Sequence, residues 1–307
     1  METIRLQDIQ EAALRLKPHV HRTPVLSSET LNLLCGRKLF FKAEHLQKTG
    51  SFKVRGAMNA ALQLQAPRGL LTRSSGNHAQ GVAFAARTLG LPCTVVMYED
   101  ASEVKKQAVR SYGATVVDAG VTHLNADQKV QELMDQTGFT FIHAYENLQV
   151  MAGQGTQALE LIGQMEAPDA VLVAVGGGGM ISGIATVLKS LWPDTQVIGV
   201  EPELGNDAQQ SLRAGRRVSL AAPPETLADA VRPMSPGVLT FPVMQRLVDD
   251  ILTVQEETIL QAQHLMMRHL KQVVEPTAAL PLAAVLEHFH LPERLALFVC
   301  GGNWLPE

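Results

Sequence analysis

The stretch VLVAVGGGGMISG, residues 171–183, decides the architecture. It lies inside a run from Ala170 to Leu188, nineteen residues without a charge, long enough to raise the question of a membrane span. Gly176, Gly177, Gly178 and Gly179 in succession would break such a helix, so the run divides into a buried strand and a following helix. A strand that is apolar on both faces belongs in a parallel sheet covered by helices.

Working outward, the same alternation recurs. The sequence predicts a helix ending before Pro18, strands at Lys38–Glu44, Gly69–Arg73, Thr94–Tyr98 and Ala114–Asp118, and helices from near Ser51, over Asn77–Leu89, Ser102–Tyr112 and Leu124–Gln136. QVIGVE at 196–201 and LALFVC at 295–300 repeat the strand pattern of 171–175, with a crossover helix expected around Gln154–Met165 after the loop HAYENLQV. Strand and helix in alternation predict right-handed βαβ units and mostly parallel sheets. The proline-punctuated stretch from about 216 to 242 is long for an idle loop and is expected to border the site.

The 307 residues are 46% hydrophobic and 18% charged, which excludes a small stapled scaffold and extended disorder. A net charge of -4 offers no general field for a phosphate backbone, so nucleic acid is not an expected partner. Cys35, Cys93 and Cys300 are odd in number and widely spaced, which fits a reducing cytoplasm and no disulfide framework. The N-terminus carries acids early and shows no targeting segment, and no membrane association is expected.

Two features carry chemistry. The four glycines turn unhindered backbone N–H groups into the positive end of a helix, a cradle for phosphate. As a dinucleotide site this would place Glu201 at the ribose, a dehydrogenase reading, but Ile181 and Ser182 break the GxGxxG spacing. Lys53, in the first turn of a helix after a polar loop, has an ammonium at the positive end, which lowers its pKa toward a nucleophilic amine. Taken alone, the glycine run also reads as a tight packing turn, and the lysine as a solvated surface group.

SFKVRGA (51–57), SSGNHAQGVAFAA (74–86), VGGGGMISG (175–183), VEPELGND (200–207), VEPTAALPLAAV (274–285) and CGGN (300–303) occur in register along nearly the whole chain. Together they resemble the pyridoxal-phosphate enzymes of the threonine dehydratase, serine dehydratase and serine racemase family. The resemblance implies a two-lobed α/β parallel-sheet fold, the tryptophan synthase β-like fold type II, with residues 1–59 and 146–307 as the large cofactor-binding domain and 60–145 as a small mobile domain.

It also implies roles. Lys53 matches the Schiff-base lysine, which in turn removes the Cα proton, and Phe52 packs behind the cofactor ring. Gly176, Gly177, Gly178 and Gly179, with the Met180 N–H, match the phosphate-binding loop; Asn77 matches the partner of the phenolic oxygen. Cys300 matches the position facing the pyridine nitrogen, where a neutral thiol favours β-elimination over transamination; read alone it is an ordinary buried cysteine. Ser74, Ser75, Asn77 and His78 match the clamp on the substrate carboxylate. Ser75 resembles the second acid/base of serine racemase, and a simple hydrogen bond to the carboxylate is an equal reading. Glu201, the Gly205 carbonyl and Asp207 match a divalent-cation site for Mg2+, Mn2+ or Ca2+, against a charged surface turn as the plain alternative.

The implied activity is dehydration and deamination of L-threonine or L-serine to a 2-oxo acid and ammonia, with serine racemase or 3-hydroxyaspartate ammonia-lyase as the alternatives, and a homodimer as the expected assembly. Some positions depart from the family pattern. Asp229-Ala230 stands where Asp-Gly is usual, HAYENLQV lacks the usual proline and aspartate, and Trp304 follows Asn303 directly. With four residues after Asn303, no appended regulatory domain is expected.

Overall fold

The computed structural model describes residues 3–122 and 124–304. Its strands are β1 (Val25–Leu26), β2 (Lys38–Lys42), β3 (Leu70–Arg73), β4 (Cys93–Val96), β5 (Thr115–Val117), β6 (Thr140–Phe141), β7 (Ala170–Ala174), β8 (Gln196–Pro202), β9 (Asp250–Val254) and β10 (Arg294–Phe298). They form one six-stranded sheet in the order β1-β2-β10-β7-β8-β9 and one four-stranded sheet in the order β5-β4-β3-β6. Every pairing is parallel except β1 with β2.

All five residues of β7 are buried, as expected of a strand covered on both faces. One covering pair of helices, Leu148–Ile162 and Gly179–Leu191, approaches backbone to backbone. A Cβ on Gly183 would stand 2.5 Å from the Met151 carbonyl oxygen and 2.6 Å from the Gly155 nitrogen, so only glycine admits this crossing. The large sheet and its helices share one apolar core. A second core under the small sheet gathers Leu70, Val82 and Val95 together with Ala57, Met58 and Val150 from outside that sheet.

Most expected elements lie where the pattern puts them, with two informative differences. The strand from Lys38 stops at Lys42, because the buried Glu44 carboxylate turns inward to Arg55 and the chain follows it into the 3-10 turn Glu44–Leu46. The crossover helix starts at Leu148, not Gln154: the Asn147 side chain accepts the Gln149 and Val150 N–H groups at 2.9 and 3.0 Å, a cap that ends the loop midway through HAYENLQV.

The carboxyl ends of β2, β7 and β10, neighbours in the large sheet, open onto one crevice. Ligands bind open parallel sheets at this edge, where connections leave in opposite directions. The end of β3 in the small sheet delivers residues 74–78 to the opposite wall. No helix of the described residues is long and apolar enough to cross a membrane.

Candidate active site

A cavity of about 230 Å³ occupies this crevice. Lys53 opens the helix Lys53–Ala61, and its Nζ stands 5.0 Å from the centre of the Phe52 ring; both line the cavity. Burial pushes the Lys53 amine down to about 8, against the opposing pull of Cys300 and Glu275. Desolvation is therefore the largest influence among the named causes that prepare this nitrogen.

In the same cavity, Gly176, Gly177, Gly178 and Gly179 lead from β7 into the helix Gly179–Leu191. Gly178 is its N-cap at φ 87°, in the left-handed region, and no side chain caps this helix. A Cβ on Gly177 would run into the Tyr145 ring, and one on Gly179 would come within 2.9 Å of the Tyr145 Cβ. The Gly177 carbonyl accepts from Thr240 Oγ1 at 2.6 Å and from the Gly237 nitrogen at 3.2 Å, which braces the turn from behind. The first-turn N–H groups, with that of Met180, thus face the cavity at a positive helix end.

Ser74, Ser75, Asn77 and His78 line the same cavity around Gly76. Gly76 is the N-cap of the helix Asn77–Leu89 and has no side chain to satisfy its first N–H groups, which suits a carboxylate. His78 contributes no charge: burial and the Lys53 cation hold its pKa down to about 3, and Nε2 bonds the Ile142 carbonyl at 3.0 Å.

Cys300 follows β10 and completes the expected set. Burial and the Glu275 carboxylate push its thiol well above the usual range, so the sulfur is uncharged. Glu275 had no expected role, although VEPTAALPLAAV contains it; an acid before Pro276 at the start of a helix reads as a cap. The fold buries it on the cavity wall, where Asn77 Nδ2 donates to both its oxygens at 2.9 and 3.0 Å. Asn303 and Tyr145, also unassigned, join the wall, Asn303 by donating to Asn77 Oδ1 at 2.8 Å.

Asp229, Ala230, Val231 and Pro233 border the cavity, as expected of the 216–242 stretch. Ala230 costs no backbone strain: it lies in the 3-10 turn Asp229–Val231, and among the described non-glycine residues only Ala66 and Lys271 have positive φ. In the departing HAYEN loop, Glu146 accepts from the Val238 and Leu239 nitrogens, tying this loop to the one that braces the glycine turn.

Glu201, Gly205 and Asp207 do not line this cavity. The Glu201 carboxylate accepts the Ala208 and Gln209 N–H groups at 3.0 and 2.8 Å, capping the helix Asp207–Ala214. Burial raises both acids, Asp207 to about 7, and each lacks a cationic neighbour among the causes of its shift. Asp207 Oδ2 is buried without a partner. Among the described residues no group of three or more His, Cys, Asp or Glu side chains could hold a metal ion.

A side-chain-free phosphate cradle sharing one cavity with a desolvated lysine, at the carboxyl edge of a parallel sheet, defines a class of enzyme that holds a phosphorylated carbonyl cofactor by one end and its reactive carbon by the other. Residues 16–301 match the family described as pyridoxal-phosphate dependent enzyme, and the chain belongs to it. It is 40% identical to mouse serine racemase, covering 98% of this chain and 91% of that protein. It is 43% identical to L-threo-3-hydroxyaspartate ammonia-lyase of Pseudomonas, covering 99% and 96%. The solved structure of a threonine deaminase from T.th. superimposes with a TM-score of 0.97 at 53% identity, covering 99% of this chain and all of that one. The fold is the tryptophan synthase β-like fold type II. The dehydrogenase reading falls with this, and Glu201, its expected ribose ligand, serves as a helix cap.

Proposed function

We propose that the chain dehydrates and deaminates L-threonine or L-serine, releasing a 2-oxo acid and ammonia. The observation that carries this reading is the desolvated Lys53 amine, with its pKa lowered to about 8, on one cavity wall with an uncharged thiol at Cys300.

The residues present fit pyridoxal 5'-phosphate: a turn of glycines packed so closely on Val231, Tyr145, Met244 and Thr240 that side chains would have to displace them, and a buried amine lining the same cavity. When bound, this group supplies an electron sink that acidifies the substrate Cα–H and loosens the bond to the β-hydroxyl. Gly176, Gly177, Gly178, Gly179 and the Met180 N–H would hold its phosphate, Phe52 would pack against its ring, Asn77 would donate to its phenolic oxygen and Cys300 would meet its pyridine nitrogen. Lys53, partly free base near neutral pH, takes the Cα proton at Nζ. The Cys300 thiol does not hold a positive charge on the ring, which favours loss of the hydroxyl over transamination. Ser74, Ser75, Asn77 and His78 hold the substrate carboxylate at the uncapped helix start.

The reading includes a small lobe, 60–145, closing on the large lobe of 1–59 and 146–307, and a homodimer working in the cytoplasm. It also includes a divalent cation shared by Glu201, the Gly205 carbonyl and Asp207, supported by the orphaned Asp207 Oδ2 beside a second buried carboxylate. Racemisation is a second reading, favoured by Ser75 lining the cavity together with Lys53.

Ammonia release from L-threonine, L-serine and 3-hydroxyaspartate, with chiral analysis of the remaining amino acid, tests the assignment. Turnover is expected to be fastest with L-threonine or L-serine. Release from 3-hydroxyaspartate alone, or D-serine as the main product, overturns it.

A further inference from the structure

Glu275 is a carboxylate that the mechanism above does not use. It is 4% exposed, it lines the active-site cavity, and it bonds side chains far away in sequence. Its oxygens meet Asn77 Nδ2 at 2.9 and 3.0 Å, and Cys300 Sγ at 3.8 Å from Oε1. Asp229 and Lys53 are the charged groups whose fields reach it, Cys300 acts on it through its hydrogen bond, and Lys53 is the one cation among them. Burying a carboxylate without a close cation is costly unless hydrogen bonds compensate. Here the Asn77 hydrogen bonds offset part of that cost, and burial still raises the carboxyl to about 7.

The geometry of that contact has a consequence for the amide. The two oxygens of one carboxylate subtend a much narrower angle at Nδ2 than its two N–H bonds do. A nitrogen nearly equidistant from both oxygens therefore spends one N–H between them and turns the other away. At the opposite end of the amide, Asn77 Oδ1 accepts from Asn303 Nδ2 at 2.8 Å, and Asn303 Nδ2 also meets the Thr49 carbonyl at 2.8 Å. A flipped Asn77 would set its oxygen against the Glu275 carboxylate and its N–H₂ against the Asn303 N–H₂. Both clashes forbid it.

We propose that Glu275 is a positioning residue: its carboxylate locks the Asn77 amide so that a free N–H, and never the carbonyl oxygen, faces the phenolic oxygen of the bound cofactor. This rests on the reading of Asn77 as the residue that meets that oxygen. The lock runs from β10 and the helix Pro276–Glu287 of the large sheet to the helix that follows β3 of the small sheet, so it also sets where the two sides of the cleft meet.

The test is Glu275→Gln, an isostere that brings an N–H₂ toward the N–H₂ of Asn77. The wild-type and variant apo-proteins are titrated with pyridoxal 5'-phosphate, reading Kd and the visible absorption band. Loss of a hydrogen bond to a charged oxygen raises Kd by about tenfold and moves the band to shorter wavelength as the phenolic oxygen keeps its proton. In an Asn77→Ala background the same substitution adds less than about twofold, because a residue acting through Asn77 has nothing left to act on. If Glu275→Gln does not fold, Glu275→Asp keeps the charge on a shorter arm and is expected to move the band in the same direction.

A variant with a lower melting temperature but an unchanged band and Kd has lost only packing, and the proposal falls. Equal effects of Glu275→Gln with and without Asn77 overturn it as well. A wild-type protein that gives no visible band with the cofactor defeats the functional reading itself, a result distinct from either.

Discussion

Lys105 Nζ lies 2.6 Å from Asp229 Oδ2 on the wall of the cavity, joining the helix that precedes β5 to the 3-10 turn on the far side. Both side chains are well exposed, 41% and 45%, so the pair contributes at most about 1 kcal/mol to folding. Its position gives it more influence on access than on stability. Lys105→Met is expected to leave the melting temperature within about 2 °C. It raises KM severalfold and removes part of the salt dependence of KM, measured by initial rates from low to high ionic strength.

Lys53→Ala is expected to abolish turnover, by about a thousandfold or more, while the circular dichroism stays that of the wild type. The amine also fixes a pH dependence. Its pKa is lowered to about 8, so the nucleophilic free base accumulates as pH rises through that value. Cofactor uptake by the apo-protein should accelerate from about pH 6 to pH 9 and then level. A flat profile across that range would show a nitrogen already deprotonated, or one not involved.

Arg55, two residues beyond Lys53, is fully buried and bonds Glu44 at 2.7 and 2.8 Å and Glu160 at 2.7 and 2.9 Å. Removing one partner from such a network leaves uncompensated charge, so Arg55→Met is expected to cost about 3–5 kcal/mol in denaturant unfolding. Arg55→Lys recovers little, because an ammonium cannot serve both carboxylates in the plane of a guanidinium. Glu44 is held below its ordinary range by Arg55 despite its burial. Its contribution is therefore present above the unfolded carboxylate's pKa and is lost as pH falls through the folded value. Acid unfolding of Arg55→Met should lack this component.

The large sheet was legible because parallel strands covered on both faces leave continuous apolar runs: β7, β8 and β10 lie on VLVAV, QVIGVE and LALFVC within a residue or two. The two-residue strands β1 and β6 carry no period to read. Nor did the sequence alone point to β9, in a stretch with no glycine turn to announce it. The site divided similarly. Lys53 and the glycine turn are local features, each a few residues that make sense together. Glu275 and Asn303 acquire meaning only through Asn77, from which they are 198 and 226 residues away in sequence. Even at Lys53 the helix end was visible in sequence, whereas the burial that lowers its pKa belongs to the packed fold.

The Glu201–Asp207 pair makes a separate prediction. Both carboxylates are raised, Asp207 to about 7, chiefly by burial. A raised acid binds its proton more tightly folded than unfolded, so between about pH 4 and pH 7 Asp207 makes stability fall as pH rises, and Glu201 acts in the same direction. A bound divalent cation removes that penalty. At about one hundred times its Kd, such an ion adds about 2.7 kcal/mol. Millimolar Mg2+, Mn2+ or Ca2+ is thus expected to raise the melting temperature at about pH 8 by several degrees in the wild type. Asp207→Asn should abolish the response, and a wild type indifferent to all three ions would leave the pair as a helix cap alone.

Ser75 separates elimination from racemisation. Both begin with removal of the Cα proton, the role proposed for Lys53 on one side, but inversion also needs a proton delivered to the opposite face. A hydroxyl that supplies it is essential for the D-product and incidental to loss of the β-hydroxyl. Ser75→Ala is therefore expected to lower D-serine formation from L-serine more than tenfold while ammonia release changes only severalfold, with the two followed in one reaction by chiral chromatography and an ammonia assay. A parallel fall in both products would instead assign Ser75 to holding the carboxylate, alongside Ser74 and the helix start after Gly76.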